Sequence, residues 1–228
     1  MKPLARTLLA ATFLLFATLA GAHNVGESDQ QFLAGNAGPQ IGPFIYLGAK
    51  HMVTGYDHLL FLVGVVFFLY RLRHVALYVS LFALGHSATL LAGVLWNWQV
   101  NAYLIDAIIG LSVAYKAFDN LDGFRTLFGF EPAPRLAVLV FGLFHGMGLA
   151  TKLQELNLSA NGLVTNLISF NVGVEIGQFL ALGAVLIAMN YWRRTTSFLR
   201  HAYATNALLM TAGFVLAGFQ ISSYVLAG

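Results

Sequence analysis

The feature that most constrains this chain is a series of long apolar runs separated by short polar breaks. A membrane-spanning helix needs about 20 mainly apolar residues, and a helix satisfies its own backbone hydrogen bonds inside lipid. Only 9% of the residues are charged, against about 25% in a typical soluble domain. The sequence therefore predicts an all-α bundle of about six transmembrane helices in contact with the lipid bilayer. The predicted spans are 44–70, 75–95, 101–118, 135–151, 163–190 and 200–226.

The beginning of the chain has the pattern of a targeting segment. Lys2 and Arg6 precede the apolar stretch TLLAATFLLFATLA, which the small residues AGA close. This order is typical of a cleavable signal peptide. Cleavage would make His23 the first residue, where its imidazole and the free amine could chelate a metal ion. The predicted organisation is a signal peptide over 1–22, an extracytoplasmic segment over 23–43 and a six-helix transmembrane domain over 44–228.

The basic residues indicate how the helices are oriented. If the mature N-terminus lies outside, only Lys50 and Lys152 fall on the outer side. An excess of Lys and Arg in the cytoplasmic loops is the usual arrangement. The sequence therefore predicts a periplasmic N-terminus. The residues on the predicted cytoplasmic side are Arg71, Arg73, Lys116, Arg125, Arg135, Arg193, Arg194 and Arg200.

The composition also excludes several kinds of partner. Since the basic residues flank the spans, they set the topology and do not indicate nucleic-acid binding. The sequence has no glycine-rich phosphate loop, so we expect no nucleotide. It has no cysteine, which excludes disulfides and thiolate metal sites. A transition-metal site in this chain must use imidazole, carboxylate, amide, thioether or backbone oxygen.

Five ionisable residues fall far from both predicted membrane interfaces. A charge at the bilayer centre costs about 2.5–3.5 kcal/mol on insertion scales, so such residues face the bundle interior and pair with each other or with a ligand. Their similar depth on four predicted spans indicates one shared polar site. The five residues are Asp57, His58, His86, His145 and Glu175.

Local spacing extends this predicted site. His51 and His58 are seven residues apart, which is two helical turns. Gly55 lies between them and is expected to break the helix, a common way to build an ion site inside a membrane. Gly146 follows His145 and would give a ligand room to approach. We therefore include His51 among the predicted metal ligands.

Accessory ligands are also expected on two other spans. Asn171, Glu175 and Gln178 form a polar stripe at helical spacing in the fifth span. Asp106 lies near the outer end of the third span and could be either an outer ligand or a helix cap.

Imidazole and carboxylate without thiolate suit divalent nickel, cobalt or zinc, and suit magnesium or calcium poorly. We expect a permease in which such an ion is bound at the midplane. A zinc-dependent intramembrane hydrolase is an alternative, because three histidines and Asp57 could hold zinc with one position open for water. A second alternative is a metal-binding accessory protein for membrane assembly. The sequence does not indicate whether the chain forms an oligomer or a complex with another membrane protein.

Four segments of the chain occur in the order found in a known family. HMVTGYDHLLFL, GHSATLL, FGLFHGMGLA and FNVGVEIGQ resemble the HupE/UreJ family of bacterial membrane proteins, in its second, broader branch. The resemblance implies a nickel or cobalt permease of the bacterial inner membrane, with His51, Asp57, His58 and His145 handling the metal. Met52 stands where the hydrogenase-associated branch has proline.

Overall fold

The computed structural model describes residues 38–155 and 160–227. All regular structure in these ranges is helical, in eight helices that we name α1 to α8 in chain order. The predicted signal peptide, His23 and the rest of 23–37 lie outside the described residues. The helices are α1 Ile41–Thr54, α2 Tyr56–Val66, α3 Leu72–Leu95, α4 Ala102–Asn120, α5 Gly123–Phe128, α6 Pro134–Glu155, α7 Leu163–Arg193 and α8 Ser197–Ala227.

Four of these helices, α3, α6, α7 and α8, are long and apolar enough to cross a membrane. The first predicted span is divided between α1 and α2, which have 14 and 11 residues, each fewer than the roughly 20 that one helix needs. Helix α4 has 19 residues but carries three charged side chains, Asp106, Lys116 and Asp119. The predicted helical membrane bundle is confirmed, although the described residues contain four such helices where the sequence predicted six.

Glycine allows close contact within three pairs of helices: α1 with α7, α3 with α6, and α4 with α8. A Cβ atom added to Gly173 of α7 would lie 2.8 Å from the carbonyl carbon of Ile45 in α1. A Cβ at Gly146 of α6 would lie 2.8 Å from the carbonyl carbon of His86 in α3. Gly213 of α8 contacts the backbone of α4 in the same way. Small residues let helix backbones approach in membranes, so these glycines account for the close packing of the three helix pairs.

The boundary between α1 and α2 lies at Gly55. Its backbone is extended, with φ −71° and ψ 101°. Its N–H donates to the carbonyl of His51 at 2.9 Å, and its own carbonyl accepts from Leu59 at 3.1 Å. A Cβ here would lie 3.0 Å from Nδ1 of His58, so glycine leaves room for that ring. The predicted helix break at Gly55 is confirmed.

The other end of α2 is held by side chains from the neighbouring helices. Arg193 of α7 donates to the carbonyls of Val66 and Phe67, the latter at 2.7 Å. Asn120 of α4 donates to the carbonyl of Gly64 at 2.8 Å. The last carbonyls of a helix have no partner within it, so these bonds stabilise α2 inside the bundle. The short helix that carries Asp57 is therefore held at its C-terminal end by two neighbouring helices.

Candidate metal centre

The break at Gly55 places three ionisable side chains beside it. His51 lies in the last turn of α1, and Asp57 lies in the first turn of α2 with His58 next to it. The ring centroids of His51 and His58 are 5.1 Å apart, although the rings belong to different helices. The carboxylate of Asp57 lies at the N-terminus of α2, where the helix dipole stabilises negative charge. One short segment thus supplies two imidazoles and one acid.

Two further helices each bring one histidine to the same place. The ring of His58 lies 5.8 Å from that of His86 on α3 and 4.8 Å from that of His145 on α6, between centroids. Gly146 packs against the backbone of His86, so it brings α3 and α6 together and does not leave the ligand room that we expected. Asp57 and the three histidines are only 1–2% exposed. The cluster is enclosed within the bundle.

In the described part of the chain, the donor atoms form two overlapping groups. One group is His51, His58 and His86, and the other is Asp57, His58 and His145. Within each group, one donor atom from each residue lies within 4.8 Å of the others. Donors on a tetrahedral ion with bonds of about 2.1 Å are about 3.4 Å apart. Small side-chain rotations would therefore allow either group to bind one ion, and His58 belongs to both.

Hydrogen bonds determine which nitrogen of two rings carries a lone pair. Nδ1 of His58 is 3.0 Å from Oδ1 of Asp57, so in the neutral ring Nδ1–H donates and Nε2 has the lone pair. The hydroxyl of Ser112 donates to the carbonyl of Ile109 at 2.6 Å. Its oxygen therefore accepts from Nε2–H of His145 at 3.2 Å. The lone pair of His145 is then on Nδ1, which lies 3.9 Å from Oδ2 of Asp57.

His86 supports a ligand at this centre. Both of its ring nitrogens are buried and have no hydrogen-bond partner among the residues that the structure describes. An unsatisfied buried polar group costs about 1–3 kcal/mol, and a metal ion bound through the imidazole would satisfy one nitrogen. Three buried imidazoles and a carboxylate, with a fourth imidazole from His51, are ligands that suit a divalent first-row transition metal.

Glu175 lies elsewhere. Its side chain is exposed, whereas Gly173 and Gly177, two residues before and after it, pack against α1. Residues two apart on a helix point about 200° apart, so Glu175 faces the outer side of the bundle. The sequence placed its carboxylate at the shared centre, and the structure places it outside.

The remaining predicted ligands contact other protein groups. Asn171 accepts a hydrogen bond from the hydroxyl of Ser87 at 3.2 Å. Gln178 donates to a backbone carbonyl of α3 at 3.2 Å. Both side chains therefore join α7 to α3. Asp106 forms an ion pair with Lys152 at 2.9 Å between Oδ2 and Nζ, so it links α4 to α6 where we expected an outer ligand or a cap.

Sequence reasoning did not identify Ser112 as part of the centre. Serine in an apolar helix commonly bonds a carbonyl of its own helix, and Ser112 does bond Ile109. Its contact with His145 joins residues 33 positions apart. No local pattern in the sequence distinguishes such a serine from an ordinary one.

The fold and the cluster define a polytopic helical membrane protein with an enclosed histidine–aspartate centre that is compatible with metal binding. A family model described as HupE / UreJ protein matches residues 27–228. The chain therefore belongs to the HupE/UreJ family, which is associated with nickel and cobalt transport. Comparisons with curated proteins and with solved structures give no significant match.

Proposed function

We propose that this protein is a permease that carries a divalent transition metal ion, nickel or cobalt, across the bacterial inner membrane. The main support is the pair of donor groups that share His58, because they offer two successive positions for one ion inside a membrane bundle. Their imidazole and carboxylate donors match the preference of these metals. We further propose that the mature N-terminus is periplasmic, as the distribution of basic residues predicts.

In this proposal the ion moves between the two groups without losing every protein ligand. An ion that enters from the side of the membrane where the mature N-terminus lies first binds His51, His58 and His86. It then exchanges two of these ligands for Asp57 and His145 while His58 remains bound. A permeation site must bind the ion weakly enough to release it, and the absence of thiolate favours this. Protons compete with metal for the same lone pairs, so protonation of the ligands would assist release.

Metal uptake into proteoliposomes tests this function. Vesicles containing the protein should accumulate radioactive Ni²⁺ or Co²⁺, and His58→Ala should abolish the accumulation because it removes the ligand common to both groups. His201→Ala is the matched control, since His201 is exposed on α8 and lies outside both groups. It should retain uptake.

Two results would overturn the proposal. One is a protein that holds a single zinc ion tightly, hydrolyses a membrane substrate and accumulates no metal in vesicles. The other is uptake by His58→Ala that equals uptake by His201→Ala. A protein that accumulates no metal but co-purifies with a membrane partner would indicate the accessory function instead.

A further inference from the structure

A groove opens on the outer side of the bundle between α3 and α7. Its volume is about 310 Å³, which at about 30 Å³ per water corresponds to on the order of ten water molecules. Ser80 and Ser87 of α3 line it, and so do Glu175 and Gln178 of α7. The other four lining residues are Val79, Ala83, Leu84 and Phe179, which are apolar. Water in the groove would therefore hydrate the two serines, Glu175 and Gln178.

Glu175 is the ionisable residue among those that line the groove. It lies near the middle of the 31-residue helix α7 and is exposed. The ion pairs found among the described residues involve other acids. Ionisable residues at membrane depth usually face a water-filled cavity or a partner, and they commonly mark ion pathways. Water in the groove would solvate this carboxylate without a protein partner.

The groove adjoins the metal centre. A second cavity, of about 10 Å³, is close to the smallest that can hold one water, and His58 and Met52 line it. Val79 and Gln178 line both this cavity and the groove. Gln178 is only 3% exposed. The groove and the cavity beside His58 therefore share two lining residues and are adjacent.

The direct route from the cluster along α2 is closed by aromatic rings. Phe61 of α2 and Phe82 of α3 are 3% and 5% exposed, and their ring centroids are 5.3 Å apart. Phe61 also packs at 5.4 Å from the ring of His145, and Phe82 at 6.1 Å from that of His58. An ion that leaves the histidines toward the C-terminal end of α2 meets these rings. The same rings also line the cavity beside His58, and Val79 and Gln178 lie at the boundary between that cavity and the groove.

We propose that the groove between α3 and α7 is a hydrated side vestibule of the metal centre, in which Glu175 holds a hydrated divalent cation. This inference rests on the proposed transport function, because it adds a second cation position to the same route. Gln178 and Val79 form the barrier between that position and His58. The ligand class is a hydrated divalent first-row ion, since one carboxylate with hydroxyl neighbours can contact an ion that keeps most of its water.

Cysteine labelling tests this proposal directly, because the natural chain contains no cysteine. Single variants Ser80→Cys and Ser87→Cys would be reconstituted in nanodiscs and treated with a cationic, membrane-impermeant methanethiosulfonate. Ala88→Cys is the matched control, since Ala88 is exposed on α3 but is not part of the groove. The thiolate is the reactive form and needs water, so both groove cysteines should react about tenfold faster than the control or more.

Two further measurements test the cation position. Adding Glu175→Gln to Ser87→Cys should slow the cationic reagent but not a neutral one of similar size, because only the cation is attracted by the carboxylate. Ni²⁺ should slow the labelling of Ser87→Cys when Glu175 is present, and should have no effect in the Glu175→Gln background. This protection should persist with His58→Ala, which removes the shared ligand of the buried centre.

Several outcomes would overturn the vestibule. Labelling of both groove cysteines at the rate of Ala88→Cys would show that the groove is filled with lipid. Unlabelled Ser87→Cys, together with crosslinks between chains at Phe179→Cys, would show that a second copy of the chain covers it. Ni²⁺ protection that disappears with His58→Ala would place the ion at the histidines alone. Labelling does not depend on uptake, so failed transport with intact Glu175-dependent protection would reject the permease function and leave the cation position standing.

Discussion

Replacing Gly146 with alanine should push α3 and α6 apart and weaken metal binding. The added Cβ would lie 2.8 Å from the carbonyl carbon of His86 and 2.5 Å from Oγ1 of Thr89. Thr89 cannot easily move, because its hydroxyl donates to the carbonyl of Leu143 across the two helices at 2.6 Å. Carbon atoms normally pack at about 3.5–4.0 Å, so relieving the 2.8 Å contact with the carbonyl carbon requires the helices to separate by at least about 0.7–1.2 Å. The carbonyl oxygen of His86 lies closer still.

This displacement is large for both packing and coordination. Extra methyl groups in a well-packed interior typically cost about 1–3 kcal/mol. Metal–ligand distances tolerate deviations of only about 0.2 Å. His86 and His145 lie on the two helices that would move, and each belongs to a different donor group. We expect the affinity for Co²⁺ to fall by about tenfold or more, in the range seen when supporting residues of metal sites are changed.

Thermal unfolding in detergent and calorimetric titration with Co²⁺ measure the two effects. Gly148→Ala is the control, because it adds the same methyl group to the same helix. Its Cβ would lie 3.0 Å from Cδ1 of Ile109, the end of a flexible side chain that can rotate away. If Gly146→Ala matches the wild-type protein in both stability and affinity, the reasoning from helix contact is wrong, and Gly146 has the ligand-access role that its position beside His145 suggested.

Three other changes have defined outcomes. Ser112→Ala should weaken Co²⁺ binding about 10- to 100-fold in calorimetric titration, because His145 loses the acceptor that orients its ring. Lys152→Met should lower the free energy of unfolding by about 3–5 kcal/mol because it leaves the carboxylate of buried Asp106 without its ion pair. Adding Asp106→Asn to the same chain should restore part of this stability, and thermal unfolding measures both changes. Lowering the pH should weaken Co²⁺ binding in calorimetric titration, since protons and the metal compete for the same imidazole and carboxylate lone pairs; an affinity that stays constant down to the pH at which the protein unfolds would contradict ligation by these groups.

Much of the fold follows from local sequence. Apolar runs of sufficient length predict helices in lipid, because a helix satisfies its own backbone where no water is present. Gly55 predicted the break that divides the first run. These features depend on residues near one another in the chain, so composition and spacing are sufficient to find them. The number of spans was less well predicted, because the first predicted span is divided between two short helices and the charges of α4 reduce its hydropathy.

Some predicted ligands lie at the metal centre and others do not, and the difference depends on the groups that surround each side chain in the fold. Mid-span histidines were expected to face inward because charge and lipid are incompatible, and the structure places His86 and His145 beside His58. The same argument placed Glu175 with them, but it did not consider that a groove shared with Ser80 and Ser87 could keep a carboxylate away from lipid. Asp106 illustrates the same limit, because its partner Lys152 is 46 positions away.

The residue types and their order along the chain specified a helical membrane protein that carries imidazoles and acids at depth, because the hydrophobic effect and backbone hydrogen bonding act locally. The arrangement of those groups depended on how the helices rotate and pack against one another. Gly173 and Gly177 turn one face of α7 toward α1, and so turn Glu175 outward. Gly146 draws α6 onto α3, and so places two histidines beside the acid of a third helix. Such contacts join residues far apart in sequence, and only the folded bundle defines them.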